Sequence, residues 1–166
     1  MTITETIIVS LLSGFASSFI SILFSLKQFS LKKWWEKKSD EYLRIIKELV
    51  ELQNCTYKWN DYYLDIFSMK QFSSSNKEKL SDSEISEMVK ENKKLNESLR
   101  KIVITGSIVI SQETTNELEN LLNKINGLDE LGIEDPINAT KHEYDLIKKT
   151  IENIRQYAKK DLKVKN

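Results

Sequence analysis

The sequence predicts an all-α protein, in which a single N-terminal transmembrane helix is followed by a long helix and an antiparallel helical bundle. An uncharged, apolar stretch covers residues 6–26. Beyond it, apolar residues recur at intervals of three and four, which is the spacing of one helix face rather than of a strand. The whole chain of 166 residues contains only 4 glycines and 1 proline, so few positions interrupt helices.

The composition excludes several classes of protein. Lysine and arginine total 25 and aspartate and glutamate total 25, giving a formal net charge of zero, whereas a nucleic-acid-binding protein of this size is normally basic. A single cysteine cannot form a disulfide framework or a cysteine-ligated zinc site. The sequence therefore predicts no cofactor and no specific nucleic-acid partner.

Residues 1–26 are interpreted as the transmembrane helix. From Thr6 to Leu26 no residue is charged, and as a helix this stretch is ~31 Å long, which matches a bilayer core. No lysine or arginine precedes it, unlike in a cleaved secretory signal. Because lysines follow it, the positive-inside rule predicts a single-pass protein of the bacterial inner (cell) membrane, with the N-terminus outside and the C-terminal domain cytoplasmic.

A basic and aromatic segment directly after the apolar stretch is the first candidate site, at the membrane interface. Its members are Lys27, Lys32, Lys33, Trp34, Trp35, Lys37 and Lys38. Tryptophan anchors helices at interfaces, and lysine attracts anionic lipid. Alternatively, the two tryptophans open the core of the next helix.

The second candidate site is a face of small residues within the apolar stretch. Its members, at steps of four, three, four and four, are Ser10, Gly14, Ser17, Ser21 and Ser25. Small residues allow helices to pack closely, so this face is a candidate for self-association. Two alternatives stay open: the hydroxyls line a pore in a larger ring, or they bond only to carbonyls of their own helix.

Residues 27–72 are interpreted as a juxtamembrane basic segment and a long amphipathic helix, and residues 73–166 as the remaining helices of a cytoplasmic bundle. The long helix is either a continuous rod or is broken near Asn54. Its approximate inner face comprises Trp35, Tyr42, Ile46, Leu49, Leu52, Trp59, Tyr63, Ile66 and Met69.

Local patterns predict where the later helices begin. Ser81 and Glu84 form a capping box, Ser111 caps a third helix, and Asp135 followed by Pro136 starts the last one. The β-branched residues at 102–110 suit either a helix, which we favour, or a short hairpin. The cleanest apolar stripe of the chain lies in the last helix, at Tyr144, Ile147, Ile151, Ile154 and Ala158. Four such helices predict an antiparallel bundle, although the same spacing permits pairing between protomers.

The sequence offers no catalytic, cofactor-binding or metal-binding set. His142 and Glu143 begin a zinc-helix motif, but Leu146 occupies the place of the second histidine. Gly127 and Gly132 have the spacing of a phosphate-binding loop without the lysine that must follow. Cys55 is interpreted as a small buried apolar residue. The prediction is therefore that this protein is not an enzyme.

The order of parts resembles that of small uncharacterised bacterial membrane-anchored helical proteins. The resemblance is carried by the segment 32–38 leading into 42–46, by the segment 108–111, and by the closing segment 158–162. It implies an accessory or effector role in mobile or anti-phage defence loci. The resemblance assigns no functional residue to this chain. The first hypothesis is a non-enzymatic membrane-anchored effector or scaffold that forms a homo-oligomer, contacts the lipid bilayer and perturbs it. The alternative is a membrane-tethered regulatory binding module that senses a cytoplasmic protein or ligand.

Overall fold

The computed structural model describes residues 3–71, 80–131 and 135–163, and within them every regular element is an α-helix. These are α1 (Ile3–Gln71), α2 (Asp82–Gly106), α3 (Gln112–Leu131) and α4 (Pro136–Asp161). The prediction of an all-α protein is confirmed.

Helix α1 is continuous over 69 residues. The break considered near Asn54 does not occur, since no proline and no glycine lies between Gly14 and Gln71. The chain divides into two compact units, Met1–Lys37 and Lys38–Asn166, and α1 contributes residues to both.

The predicted transmembrane helix is not found. None of the helices in the described ranges contains a stretch that is both long and apolar enough to cross a membrane. The prediction of a single-pass inner-membrane protein, with its N-terminus outside and its bundle in the cytoplasm, is therefore wrong. The prediction counted charges, whereas insertion depends on the summed transfer free energy of all side chains. In the part of α1 whose side chains are described, Ser17, Ser21 and Ser25 lower the mean hydropathy of the stretch. The lysines that begin at Lys27 end it.

The four helices of the second unit run alternately up and down. Contacts between side chains show this order, because early residues of one helix meet late residues of the next. These contacts join Lys58 to Glu91, Lys160 to Glu113, Tyr42 to Asp161 and Asn60 to Thr140. The short link 107–111 returns α3 alongside α2. The arrangement is an antiparallel four-helix bundle, as the spacing of apolar residues predicts.

The core of the bundle is built from all four helices. Its fully buried members are mostly leucine and isoleucine: Ile45, Leu49, Leu52, Leu99, Ile102, Leu118, Ile147 and Ile154. The stripe predicted in α4 is buried from Ile147 to Ala158, and Tyr144 lies half-buried at its edge. Tight packing of these branched side chains is what fixes the four helices against one another.

The β-branched segment at 102–110 divides between a helix and a turn. Helix α2 continues to Gly106, and the amides of Val109 and Ile110 then donate to the Gly106 carbonyl at 2.7 Å and 2.9 Å. Val109 and Ile110 are buried, while Ile104 and Ile108 are exposed. No hairpin forms in this part of the chain, because the turn returns its apolar residues to the bundle core.

The predicted helix starts are confirmed. The Ser81 hydroxyl accepts from the Glu84 amide at 3.3 Å, and the Glu84 carboxylate accepts from the Ser81 amide at 2.7 Å. The Asp135 carboxylate accepts from the amide of Asn138 at 3.1 Å. The Ser111 hydroxyl accepts from the amide of Thr114 at 3.4 Å. In each case a side chain satisfies an amide that has no partner within its own helix.

The capping box of α2 predicts a pH-dependent stability. The backbone amide of Ser81, and next its hydroxyl, hold the pKa of Glu84 below its usual range. A carboxyl whose pKa is lower in the folded state stabilises the fold above its unfolded pKa and loses that contribution as pH falls through its folded pKa. Glu84→Gln should therefore lower the urea midpoint near neutral pH, and the gap to wild type should be smaller at acidic pH, below the ordinary pKa of glutamate. A gap that is equal at both pH values would contradict this prediction. Ser81→Ala, which removes one donor, is expected to make the gap less dependent on pH.

Candidate functional site

The N-terminal unit exposes a series of large apolar side chains along α1. These are Phe15, Phe19, Ile20, Ile22, Leu23, Phe24, Leu26, Phe29, Leu31, Trp34 and Trp35. Monomeric proteins rarely leave so many neighbouring apolar side chains in water, so a surface of this kind indicates a binding function.

Five of these residues form one line along the helix, which we call the apolar stripe. Its members are Phe15, Phe19, Ile22, Leu26 and Phe29, each more than half exposed. They are spaced by four, three, four and three residues, which is the heptad spacing of helices that pair with other helices. The same spacing continues in the sequence to Leu12 and Ile8, whose side chains lie outside those described. Sequence reasoning missed the stripe, although its spacing is visible in the sequence.

The small-residue face lies beside the apolar stripe on the same helix. Gly14, Ser17, Ser21 and Ser25 are exposed, and the side chain of Ser10 lies outside those described. The Ser21 hydroxyl donates to the Ser17 carbonyl at 2.9 Å, which is the bond within one helix that the third interpretation expects. A Cβ added at Gly14 would meet nothing within 4 Å.

The structure divides the basic segment between two environments. Lys27, Lys32, Lys33 and Lys37 are exposed, as are Trp34 and Trp35. The Lys32 ammonium lies 4.0 Å from Glu36, and that of Lys33 lies 5.5 Å from the centre of the Phe29 ring. Lys38 instead belongs to the bundle, where its side chain is only 20% exposed and its ammonium lies 2.9 Å from Asp161.

A polar cluster surrounds the hydroxyl of Tyr42 inside the bundle. Tyr42 is 1% exposed, and its hydroxyl donates to Asp161 at 2.6 Å. The amide of Ser111 donates to the same hydroxyl at 3.3 Å, and the hydroxyl of Thr114 lies 3.3 Å away. The ammonium of Lys38 forms an ion pair with Asp161. The cluster therefore joins α1, the start of α3 and the end of α4. Every group is partnered, which is typical of a structural cluster.

A cleft of about 480 Å³ lies near the other end of the bundle. Its lining combines aromatic, aliphatic and polar side chains: Trp59, Tyr63, Val89, Asn92, Lys93, Leu128, Pro136, Ala139, Thr140 and Glu143. The Trp59 ring stacks on that of Tyr63 with centres 5.8 Å apart, and burial raises the pKa of Tyr63. Glu143 accepts from the Thr56 hydroxyl at 3.2 Å. The cleft has the volume of a small-molecule pocket, and its lining is almost as polar as it is apolar.

The residues considered for chemistry lie apart from one another. Cys55 is 1% exposed, and burial, followed by the charge of Glu91, raises the pKa of its thiol to about 11. The reactive thiolate is therefore scarce at neutral pH. His142 is exposed on α4. In the described ranges, no three histidine, cysteine, aspartate or glutamate residues come close enough together to hold a metal ion.

Comparison with known proteins adds no relative to this description. No family model, no curated protein and no solved structure matches the chain.

Proposed function

We propose that this protein is a non-enzymatic scaffold that assembles with copies of itself through the apolar stripe of α1. The observation that carries the proposal is the exposure of all five stripe residues at heptad spacing. A heptad stripe is complementary to another helix of the same kind, since each side chain fits a space between four residues of its partner.

The area of the stripe is large enough for a stable contact. Its five side chains expose roughly 600 Å² per chain, so complete burial in a pair of chains would remove about 1,200 Å² from water, which is the lower limit for specific interfaces. Removing even half of this area from water contributes about 15 kcal/mol in total. Association costs about 4 to 15 kcal/mol in lost translational and rotational freedom, so the gain from apolar burial matches the upper end of this cost.

The bundle supplies the rest of the proposed scaffold. Its core is continuous through four helices, so it is a stable body that assembly through α1 would bring into multiple copies. Anti-phage defence stays a prediction from the resemblance of the sequence. The alternative of a regulatory binding module finds support in the cleft beside Trp59, which has room for a small ligand. We favour the scaffold because a cleft is compatible with many roles, whereas an exposed heptad stripe needs a partner.

The proposal predicts that a charge within the stripe abolishes assembly. Phe19→Glu would place an unpaired carboxylate in the contact, at a cost of about 3 kcal/mol or more, and should weaken assembly at least a hundredfold. The measurement is the mass of the particle by sedimentation across a range of protein concentrations. Ile20→Glu is the matched control, because Ile20 is adjacent and equally exposed but lies off the stripe.

Wild-type protein and Ile20→Glu should both sediment as assemblies, and Phe19→Glu as single chains with an intact helical spectrum. A wild-type chain that stays single up to high concentration would overturn the proposal. If that single chain also binds vesicles of phosphatidylglycerol, the stripe serves a lipid surface instead of a second copy. Equal loss of assembly in both variants would show that the stripe is not the contact.

A further inference from the structure

We infer that two copies of the chain pair antiparallel along the apolar stripe, with a twofold axis near Ile22. This inference rests on the proposed self-assembly and adds its geometry. The partner is a second copy of the same α1 segment, lying in the opposite direction.

The order of residues in the stripe is compatible with this symmetry. Ile22 is the central member of the five: Phe15 and Phe29 lie seven residues away on either side, and Phe19 and Leu26 lie three and four residues away. In an antiparallel pair centred there, Phe15 of one copy meets Phe29 of the other, and Phe19 meets Leu26. Both copies then bury the same five side chains, as a twofold contact requires.

The charges next to the stripe decide the direction. Residues 14–26 carry no charge, whereas four exposed lysines follow, at 27, 32, 33 and 37, with Glu36 as their one acidic neighbour. In a parallel pair, the two sets of lysines lie side by side at about the distance between packed helices, ~10 Å. That distance is close to the Debye length of ~8 Å in physiological salt, so the lysines repel one another.

An antiparallel pair removes this repulsion. Lys32 and Lys33 lie about 11 residues from Ile22, so the two sets are separated by ~30 Å along the axis. This separation is several Debye lengths, and screening makes the repulsion small. Each set of lysines then lies beside an uncharged segment of the other copy. The five described stripe residues are buried in both directions, so among these residues electrostatics favours the antiparallel one.

Disulfide formation between single-cysteine substitutions tests the direction. Ile22→Cys lies at the same level in both arrangements and is the positive control. Phe15→Cys and Phe29→Cys chains, mixed in equal amounts and distinguished by a mass tag, should form the mixed disulfide at least tenfold more than either symmetric one. The wild-type chain is the negative control, since its one thiol, at Cys55, is 1% exposed.

A distance measurement between spin labels tests the direction a second time, without replacing any stripe residue. Ser30 is exposed and lies at the edge of the stripe, so a nitroxide label at Ser30→Cys leaves the five stripe side chains in place. Ser30 is eight residues from Ile22, so two labels in an antiparallel pair are separated by about 25 Å or more. In a parallel pair they lie within about 20 Å. Pulsed electron resonance on the assembled protein distinguishes these distances.

The outcomes separate this inference from the proposed function. Symmetric disulfides at 15 and at 29, or a short distance between labels at 30, would overturn the antiparallel direction while leaving self-assembly in place. Assembled chains with no disulfide at 15, 22 or 29 would overturn the contact through the stripe. A wild-type chain that sediments singly would overturn the proposed function itself.

Discussion

Replacing Leu49 by alanine is expected to lower the free energy of unfolding of the bundle by about 3 kcal/mol. Leu49 is 0% exposed and belongs to the core formed by all four helices. The substitution removes apolar contacts and leaves a cavity that close-packed neighbours fill only in part. The measurement is urea unfolding at equilibrium, followed by the helical circular dichroism signal.

Leu43→Ala is the matched control for this substitution. Leu43 lies six residues earlier on the same helix and is 63% exposed. Its replacement should change the free energy of unfolding by no more than about 0.5 kcal/mol. If both substitutions lowered the free energy of unfolding equally, the assignment of Leu49 to the buried face of α1 and of Leu43 to the exposed face would be wrong.

The second large effect is expected at Tyr42. Tyr42→Phe keeps the ring in the core but removes the hydroxyl, which is bonded to Asp161 and to the amide of Ser111. The half-buried Asp161 carboxylate would lose one of its donors and keep Lys38, and the Ser111 amide would lose its acceptor. Loss of a hydrogen bond to a charged group costs about 2 kcal/mol. Urea unfolding measures the loss, and the thermal midpoint should fall in parallel.

Tyr57→Phe serves as the control, because Tyr57 is on the same helix and is 56% exposed. It should leave stability nearly unchanged. Asp161→Asn tests the same cluster from its other side, since it removes the charge that Lys38 faces at 2.9 Å. If Tyr42→Phe were neutral while Asp161→Asn destabilised the bundle, the ion pair with Lys38 would be the main contribution and the tyrosine hydroxyl a minor one.

Local features of the sequence predicted much of the bundle. The capping box of Ser81 and Glu84 and the start of α4 at Asp135 involve residues only three apart, so the sequence contains the whole motif. The stripe from Ile147 to Ala158 was also predicted, because a strict repeat of three and four leaves one face for the core.

Features that depend on distant residues were not predicted. The hydroxyl of Tyr42 bonds to Asp161 across 119 positions of the chain, and no local pattern indicates that pair. The inner face predicted for α1 is buried at Tyr42, Leu49 and Leu52. It was wrong at Trp35, which is exposed, and Ile46 is only partly buried whereas its neighbour Ile45 is fully so. A helix of 69 residues has several apolar lines, and packing against other helices selects among them.

The candidate site was the least predictable part. The first interpretation of residues 6–26 used the absence of charge and led to a membrane span and a wrong localisation. The spacing of Phe15, Phe19 and Ile22 was available in the same residues and is typical of a helix that pairs with another helix. Lys38 was grouped with the interfacial lysines by its position, but only its three-dimensional environment shows that it pairs with Asp161.

The up-and-down order of the helices bears on how fast the bundle folds. Helix α3 packs between its neighbours in the chain, as the contacts of Asn126 with Arg100 and of Glu113 with Lys160 show. Such pairs close short loops, and proteins dominated by them refold within microseconds to milliseconds. The seam between α1 and α4 joins residues as distant as Tyr42 and Asp161, so it carries the largest entropic cost of loop closure. A refolding chain would therefore close the seam between α1 and α4 last.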